Sequence, residues 1–417
     1  MLRGNGLVLL TAVVLIFSGM ASGPYAAAQA ERVLHSFDSG DGGNTPSAGL
    51  ISDGAGNLYG TTEQGGVYGD GTVFKLTPNG TGGWRETVLH HFGGEGDGMR
   101  PIGGVVFDAV GNLYGTTYGG GASLEGTAFE LTPGEGDAWR ETVLHSFGSG
   151  VDGAWPTGSL VADAAGNFYG TTVEGGSKGL GTVFELSASG GSWMESVIHD
   201  FSSAADGVNP NGGLVFDSAG NLYGTTFSGG GTVYELSPAT GGVWAKILVH
   251  AFSRHRDGSG PNGGLAIDGA GNLYGTTMSG GNPRNCGGSG CGTAFQMIPS
   301  EGGVWTERIL HDFDDNETDG YFPAAGLLLD GSGTLYGTTQ RGGSTNSCDE
   351  GSCGTVFSLK HIAGAGWLEQ ILFDFNASGD NAALPQAGLI VGANGKLYGT
   401  TTSGGVFGDG TVFEIMP

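Results

Sequence analysis

Two carboxylates in this chain stand beside copies of one repeated motif. Glu63 directly follows a Gly-Thr-Thr triplet, and Glu174 lies one residue past another. If both face one cavity they make an acid/base pair for cleaving a glycosidic bond, and their separation would set its stereochemical course. Five further acids, Asp97, Asp152, Asp206, Asp257 and Asp319, each begin an Asp-Gly-x-x-Pro stretch. Around one rim they would form an oxygen-rich site for Ca2+. The simpler account is conformational, because Asp-Gly starts a turn and proline stiffens the approach to the next strand. Four cysteines fall in two Cys-x4-Cys pairs, Cys286 with Cys291 and Cys348 with Cys353. As thiolates they would gather Zn2+; oxidised, they would staple two loops. Six histidines (His35, His90, His145, His199, His250 and His311) share one repeat position, with Phe373 in the seventh copy. A slot that accepts an apolar ring is read as structural, not as a metal ligand.

A tandem array must position these residues. "NLYGTT" or a close variant begins at residues 57, 112, 167, 221, 272, 334 and 396, spacings of 51 to 62 residues. Each unit holds four short runs rich in Val, Leu, Phe, Tyr and Thr, separated by Gly, Asn, Asp or Pro, which is the chemistry of strands and tight turns. No stretch shows helical periodicity over three turns. The 89 glycines of the 417 residues then belong to turns and not to disorder. The fourth run occurs once before the first unit, as ERVLHSF at 31–37, while the last unit ends on its third run, GTVFEI at 410–415. An open array would leave that edge unpaired, and a ring closes it. The expected fold is all-β: a seven-bladed β-propeller of four antiparallel strands per blade, with residues 31–37 completing the last blade.

In such a ring the loops before the first strand and after the second share one face. Ligand sites are sought there where blades differ. Just before the loop proline stand Arg100, Trp155, Asn209 and Phe322; just after it come Asn211 and Asn262. Tyr118 and Phe227 follow Gly-Thr-Thr, with Arg341 one place further on in its own unit. Aromatic faces stack on pyranose rings, while amides and guanidinium groups bind hydroxyls. The mixture suits a sugar.

The first 30 residues read as a secretory signal peptide, with Arg3, an apolar run Leu7–Phe17 and a small-x-small site at Ala28-Gln29-Ala30. Cleavage near Ala30 would leave one domain, 31–417, secreted or periplasmic, with no membrane span. Export favours the staple reading of the cysteines. The formal net charge of −26 argues against a nucleic-acid partner, since phosphates would be repelled.

The combined pattern, as in GGLVFDSAGNLYGTTFSGGGTVYELSP at 212–238 followed by a W…VL(H/Y)SF strand, resembles the GloVer tandem repeat of exported bacterial proteins described as choice-of-anchor. The likeness runs through essentially all of 31–417. It implies a propeller-like fold and export, and it assigns no catalytic residue. Members of that family often end in a sorting or anchoring tail; here Pro417 follows the last strand directly, so no anchor is expected.

The chain carries no nucleophile elbow, HExxH, phosphate loop or dinucleotide fingerprint. The expected function is an extracellular binding module, for a glycan, on the loop-rich face, monomeric and without a cofactor unless Ca2+ is held. The alternatives are a glycoside hydrolase or polysaccharide lyase, and a cell-envelope scaffold for protein interactions. The loop after Gly-Thr-Thr is four residues in unit 4 but 14 in units 5 and 6, where both cysteine pairs lie. That contrast places the expected ligand groove over units 4 to 6.

Overall fold

The computed structural model describes residues 31–136, 138–148, 150–316, 318–343, 353–376 and 381–417. The signal-peptide expectation for 1–30 therefore lies outside the described residues. Seven antiparallel sheets form the ring. Blade 1 runs Ile51–Ser52, Leu58–Thr62, Thr72–Pro78 and Trp84–His91, from the channel outwards. Blades 2 to 6 repeat the order. Blade 7 is built from Ile390–Val391, Leu397–Thr401 and Thr411–Ile415, and its outer strand is Arg32–Ser36 from the other end of the chain. Val33 pairs with Phe413 and Ser36 with Thr411, so the ring closes as the count of fourth runs requires.

The LYGTT motif is consumed by the scaffold. Its leucine is buried in six blades, and Phe168 takes the same buried place in blade 3. In six blades its tyrosine donates to the aspartate of the preceding hairpin, which also accepts from backbone N–H groups and, as in Asp53, Asn57 and Tyr59, from the Asn side chain. In blade 7, where Gly392 replaces the aspartate, Tyr398 accepts from Asn394 at 2.9 Å. Glycine is required because a Cβ on Gly60 would lie 2.7 Å from the Phe74 ring. The first threonine donates across to a backbone carbonyl of the next blade in all seven copies, at 2.7–3.4 Å. The second bonds the threonine that starts the third strand, at 2.8–2.9 Å.

Between blades, the phenylalanine ending one outer strand meets the third-strand ring of the next. The seven pairs run from Phe37–Phe74 to Phe375–Phe413, all edge-to-face at 5.0–5.3 Å. Such pairs add about 0.5–1.5 kcal/mol each beyond area burial.

At the channel the blades approach backbone to backbone. A Cβ on Gly263 would lie 2.0 Å from the Gly326 nitrogen, whereas one on Gly54, in the turn between the first and second strands of blade 1, would meet nothing within 4 Å. Gly263→Ala is expected to destabilise the ring by about 3 kcal/mol, because neither backbone can retreat. Gly54→Ala stays within about 0.5 kcal/mol of the parent. Guanidinium unfolding of both variants checks the contrast.

Candidate functional site

The loops before the first strand and after the second do share one face, joined by short ribbons such as Gly98–Met99 with Gly119–Gly120. At its centre is a shallow cavity of about 210 Å³, the channel mouth, lined by the residues that follow the loop prolines and by the glycines after them. Asn211 and Asn262 belong to that lining and are hydrogen-bonded to each other through amide and carbonyl. Asn262 also donates to the Ala324 carbonyl at 3.3 Å.

Around this mouth runs an outer circle made by the residues before the prolines. Thr45, Arg100, Trp155, Asn209, Phe322 and Leu384 all hold left-handed backbone, with φ of 55° to 60°. Gly260 is the seventh, at 65°. The circle is fixed by hydrogen bonds on both sides: Arg100 N–H donates to the Asp70 carbonyl of the preceding blade, and its own carbonyl accepts from Tyr118 N–H. Blade 5 shows that glycine fits. Six blades nonetheless hold a side chain there, at about 1 kcal/mol or more of backbone strain each.

Four of these face residues form a continuous row over blades 1 to 3. The Glu63 carboxylate accepts from Arg100, including Nε at 3.2 Å. The Arg100 guanidinium lies over the Tyr118 ring at 5.2 Å, and Tyr118 stacks on Trp155 at 5.8 Å and 20°. Sequence reasoning named all four but not their adjacency. The other named residues sit apart from the row. Asn209 donates to the Val173 carbonyl at 2.7 Å and accepts from Ser228. Phe227 is exposed beside Gly260. Phe322 packs edge-on to Tyr321, which pairs with Arg341 in a two-residue ribbon. Glu174 is exposed and stands opposite Ala154 in the sheet.

The loop aspartates are not at the channel mouth. Asp97, Asp152, Asp257 and Asp319 each meet the histidine that ends the preceding blade, at 2.9–3.5 Å, and Asp206 meets both His199 and Lys246. Cys286 and Cys291 form a disulfide. Cys353 is also disulfide-bonded, while Cys348 lies outside the described residues. Beside the blade 5 flap lies a cleft lined by Arg254, His255 and Arg256, a basic patch that sequence reasoning missed.

Seven repeats closed by an exchanged strand, with a motif spent on packing and a variable face, define a tandem-repeat β-propeller. Residues 24–231, 142–349 and 228–417 each match the Gloeobacter/Verrucomicrobia repeat, and the chain belongs to that family. None of the curated proteins matches the sequence. Among solved structures, a putative 6-phosphogluconolactonase from Bacteroides uniformis is 15% identical, with a TM-score of 0.51, over 84% of this chain and 88% of that one. A gluconolactonase from Xanthomonas campestris is 14% identical over 74% and 85%, with a TM-score of 0.42. A luciferin-regenerating enzyme is 15% identical over 71% and 84%, also at 0.42. These are likenesses of fold. Among the described residues no helix is long and apolar enough to cross a membrane.

Proposed function

We propose that this protein works outside the cytoplasm as a glycan-binding module, with the sugar lying along the Glu63–Arg100–Tyr118–Trp155 row. The observation that carries the reading is the left-handed circle. Six blades keep side chains where glycine would be unstrained, and two of them, Arg100 and Trp155, belong to the row. A stacked aromatic pair gives a platform for a pyranose ring, and the ion pair beside it offers both donors and acceptors to hydroxyls. Strain fixed in advance lowers the ordering cost of binding.

Binding fits better than turnover. Hydrolysis by two carboxyls needs one of them protonated as the general acid. Glu63 is ion-paired with Arg100, which favours its charged form, and Glu174 is exposed. The disulfide at the blade 5 flap supports an oxidising location. The row lies over blades 1 to 3, away from the longer loops of blades 5 and 6.

The test is a glycan array on residues 31–417, followed by calorimetry on the retained glycans. Trp155→Ala and Tyr118→Ala are each expected to weaken binding at least about tenfold, in line with the loss of one stacking platform. Phe322→Ala, on blade 6, leaves it unchanged. No retained glycan, or equal binding by Trp155→Ala, would sink the reading. Release of reducing ends that Glu63→Gln abolishes would replace it with the hydrolase.

A further inference from the structure

The blade junctions carry a second constellation, away from the ligand face. Between blades 4 and 5, His250 Nε2 lies 3.5 Å from Asp257 Oδ2 and 3.8 Å from Glu307 Oε1. Three more junctions repeat the set: His90 with Asp97 and Glu141, His145 with Asp152 and Glu195, and His311 with Asp319 and Glu369. In each, one ring nitrogen and two carboxylate oxygens all lie within 4.8 Å of one another.

Two independent observations point to a cation. The Oε1 atoms of Glu141, Glu195, Glu307 and Glu369 are buried without a hydrogen-bond partner. A buried carboxylate oxygen with no donor is costly, and the same atom is left so at all four junctions. At the junction of blades 3 and 4, by contrast, the chain supplies its own cation. Lys246 stands opposite Leu236 where Glu307 stands opposite Met297. Its Nζ lies 2.7 Å from Asp206 Oδ1, with His199 Nε2 3.3 Å from the same oxygen.

We propose that these four junctions are binding sites for a divalent cation of the zinc type, held by His Nε2, one Asp oxygen and one Glu oxygen, with water in the fourth position. One imidazole and two carboxylates form a borderline donor set, whereas Ca2+ and Mg2+ favour all-oxygen sites. With metal–ligand bonds of about 2.0–2.1 Å, tetrahedral ligand atoms stand roughly 3.3–3.4 Å apart. The His–Asp and His–Glu distances of 2.9–3.8 Å bracket that spacing. Ligation needs Nε2 free of its proton: in a neutral ring that proton moves to Nδ1, whereas a doubly protonated ring or a protonated carboxyl gives its proton up to solvent. At the junction of blades 1 and 2 the triad borders an open cleft of about 460 Å³ that His91 and Glu95 also line, which gives an ion a way in.

The test uses residues 31–417 stripped with EDTA, dialysed and titrated with Zn2+, with metal per chain counted by elemental analysis. About four ions per chain are expected, with proton release on binding, and Co2+ in their place gives the strong visible bands of a tetrahedral site. His250→Phe, a change the ring already accepts at Phe373, lowers the count by one. Lys246→Glu completes a fifth triad and raises it by one. No Zn2+ retained at 100-fold excess, Ca2+ held as firmly as Zn2+, or a count that both folded variants leave unchanged would overturn the proposal.

Discussion

A chain that starts at Asp38, lacking the closing strand, is expected to lose its monomeric folded state. The strand it lacks buries Leu34 and Phe37, the latter fully, against the Leu50, Leu58 and Phe74 cluster of blade 1. Those two side chains contribute about 1.5–3 kcal/mol each. The ladder from Arg32 to Ser36 against Thr411–Ile415 adds about 0.5–1.5 kcal/mol per hydrogen bond. Together this is on the order of 5–10 kcal/mol, comparable with the whole stability of a typical domain. The loss also exposes Thr411–Ile415, buried along its whole length in the closed ring, as an unpaired edge, which invites pairing with another chain. Size-exclusion chromatography should show aggregates or exchanged oligomers, and calorimetry no cooperative transition. Adding the peptide ERVLHSF should restore both, and the same peptide with Phe37→Ala should not. A truncated chain that elutes and melts like the parent would show that the ring does not depend on this closure.

That prediction was available from the sequence because strand number is a matter of counting. A fourth run without its unit at one end and a unit without its fourth run at the other leave one closed arrangement. The face was legible in the same way, since variable positions stand out against a fixed motif. What the sequence hid was conformation and adjacency. A residue before proline is expected in extended backbone, so the left-handed φ of Arg100 and Trp155 has no signature in the letters, and neither does the row those residues form. The junction triads were hidden differently. Each histidine precedes its aspartate by seven residues, or eight for His311 and Asp319. That constant offset was the available signal. The letters do not show that the intervening turn folds the two together, nor that the next blade's outer strand brings a glutamate from far along the chain to meet them. Phe373 at the seventh position does prove that the slot tolerates an apolar ring. It does not make the six histidines free of polar partners.

The same junctions make the metal-free ring sensitive to mild alkali. Burial pushes Glu31, Glu86, Glu141, Glu195 and Glu307 up to about 7, and it raises Glu369 as well. Around Glu141 the other charged groups are Asp97, which raises it further, and His90, which opposes. Because the folded values lie above the unfolded 4.5, the protonated folded state is favoured. The associated stability is fully present below pH 4.5 and is lost as pH rises through 7. Four histidines work in the other direction: burial holds His35 down to about 4 and lowers His91, His199 and His250, whereas at His311 burial is outweighed by Asp319 and Glu369, which raise it. Below pH 6.5 the unfolded chain takes up protons that those four folded rings refuse, which offsets much of the glutamate gain. Hairpin aspartates such as Asp53 and Asp217 are lowered: burial would raise them, but hydrogen bonds from Asn57 and Asn221 outweigh it. Their contribution is lost as pH falls below about 4. The expected profile in EDTA is a plateau between about pH 4.5 and 6.5, a fall on the acid side and a steeper one above pH 7. From pH 6.5 to 8.5, five partly solvated glutamates lose about 2–4 kcal/mol in sum after discounting for screening. At about 2.1 cal/mol/K per residue of unfolding entropy, that is a drop of about 3–5 °C in Tm. Replacing Glu86 and Glu195 by Gln should flatten the alkaline limb by roughly two-fifths, since the amides stay neutral at every pH. A Tm that climbs between pH 6.5 and 8.5, or an alkaline limb unchanged in the double variant, would place the titrating groups elsewhere.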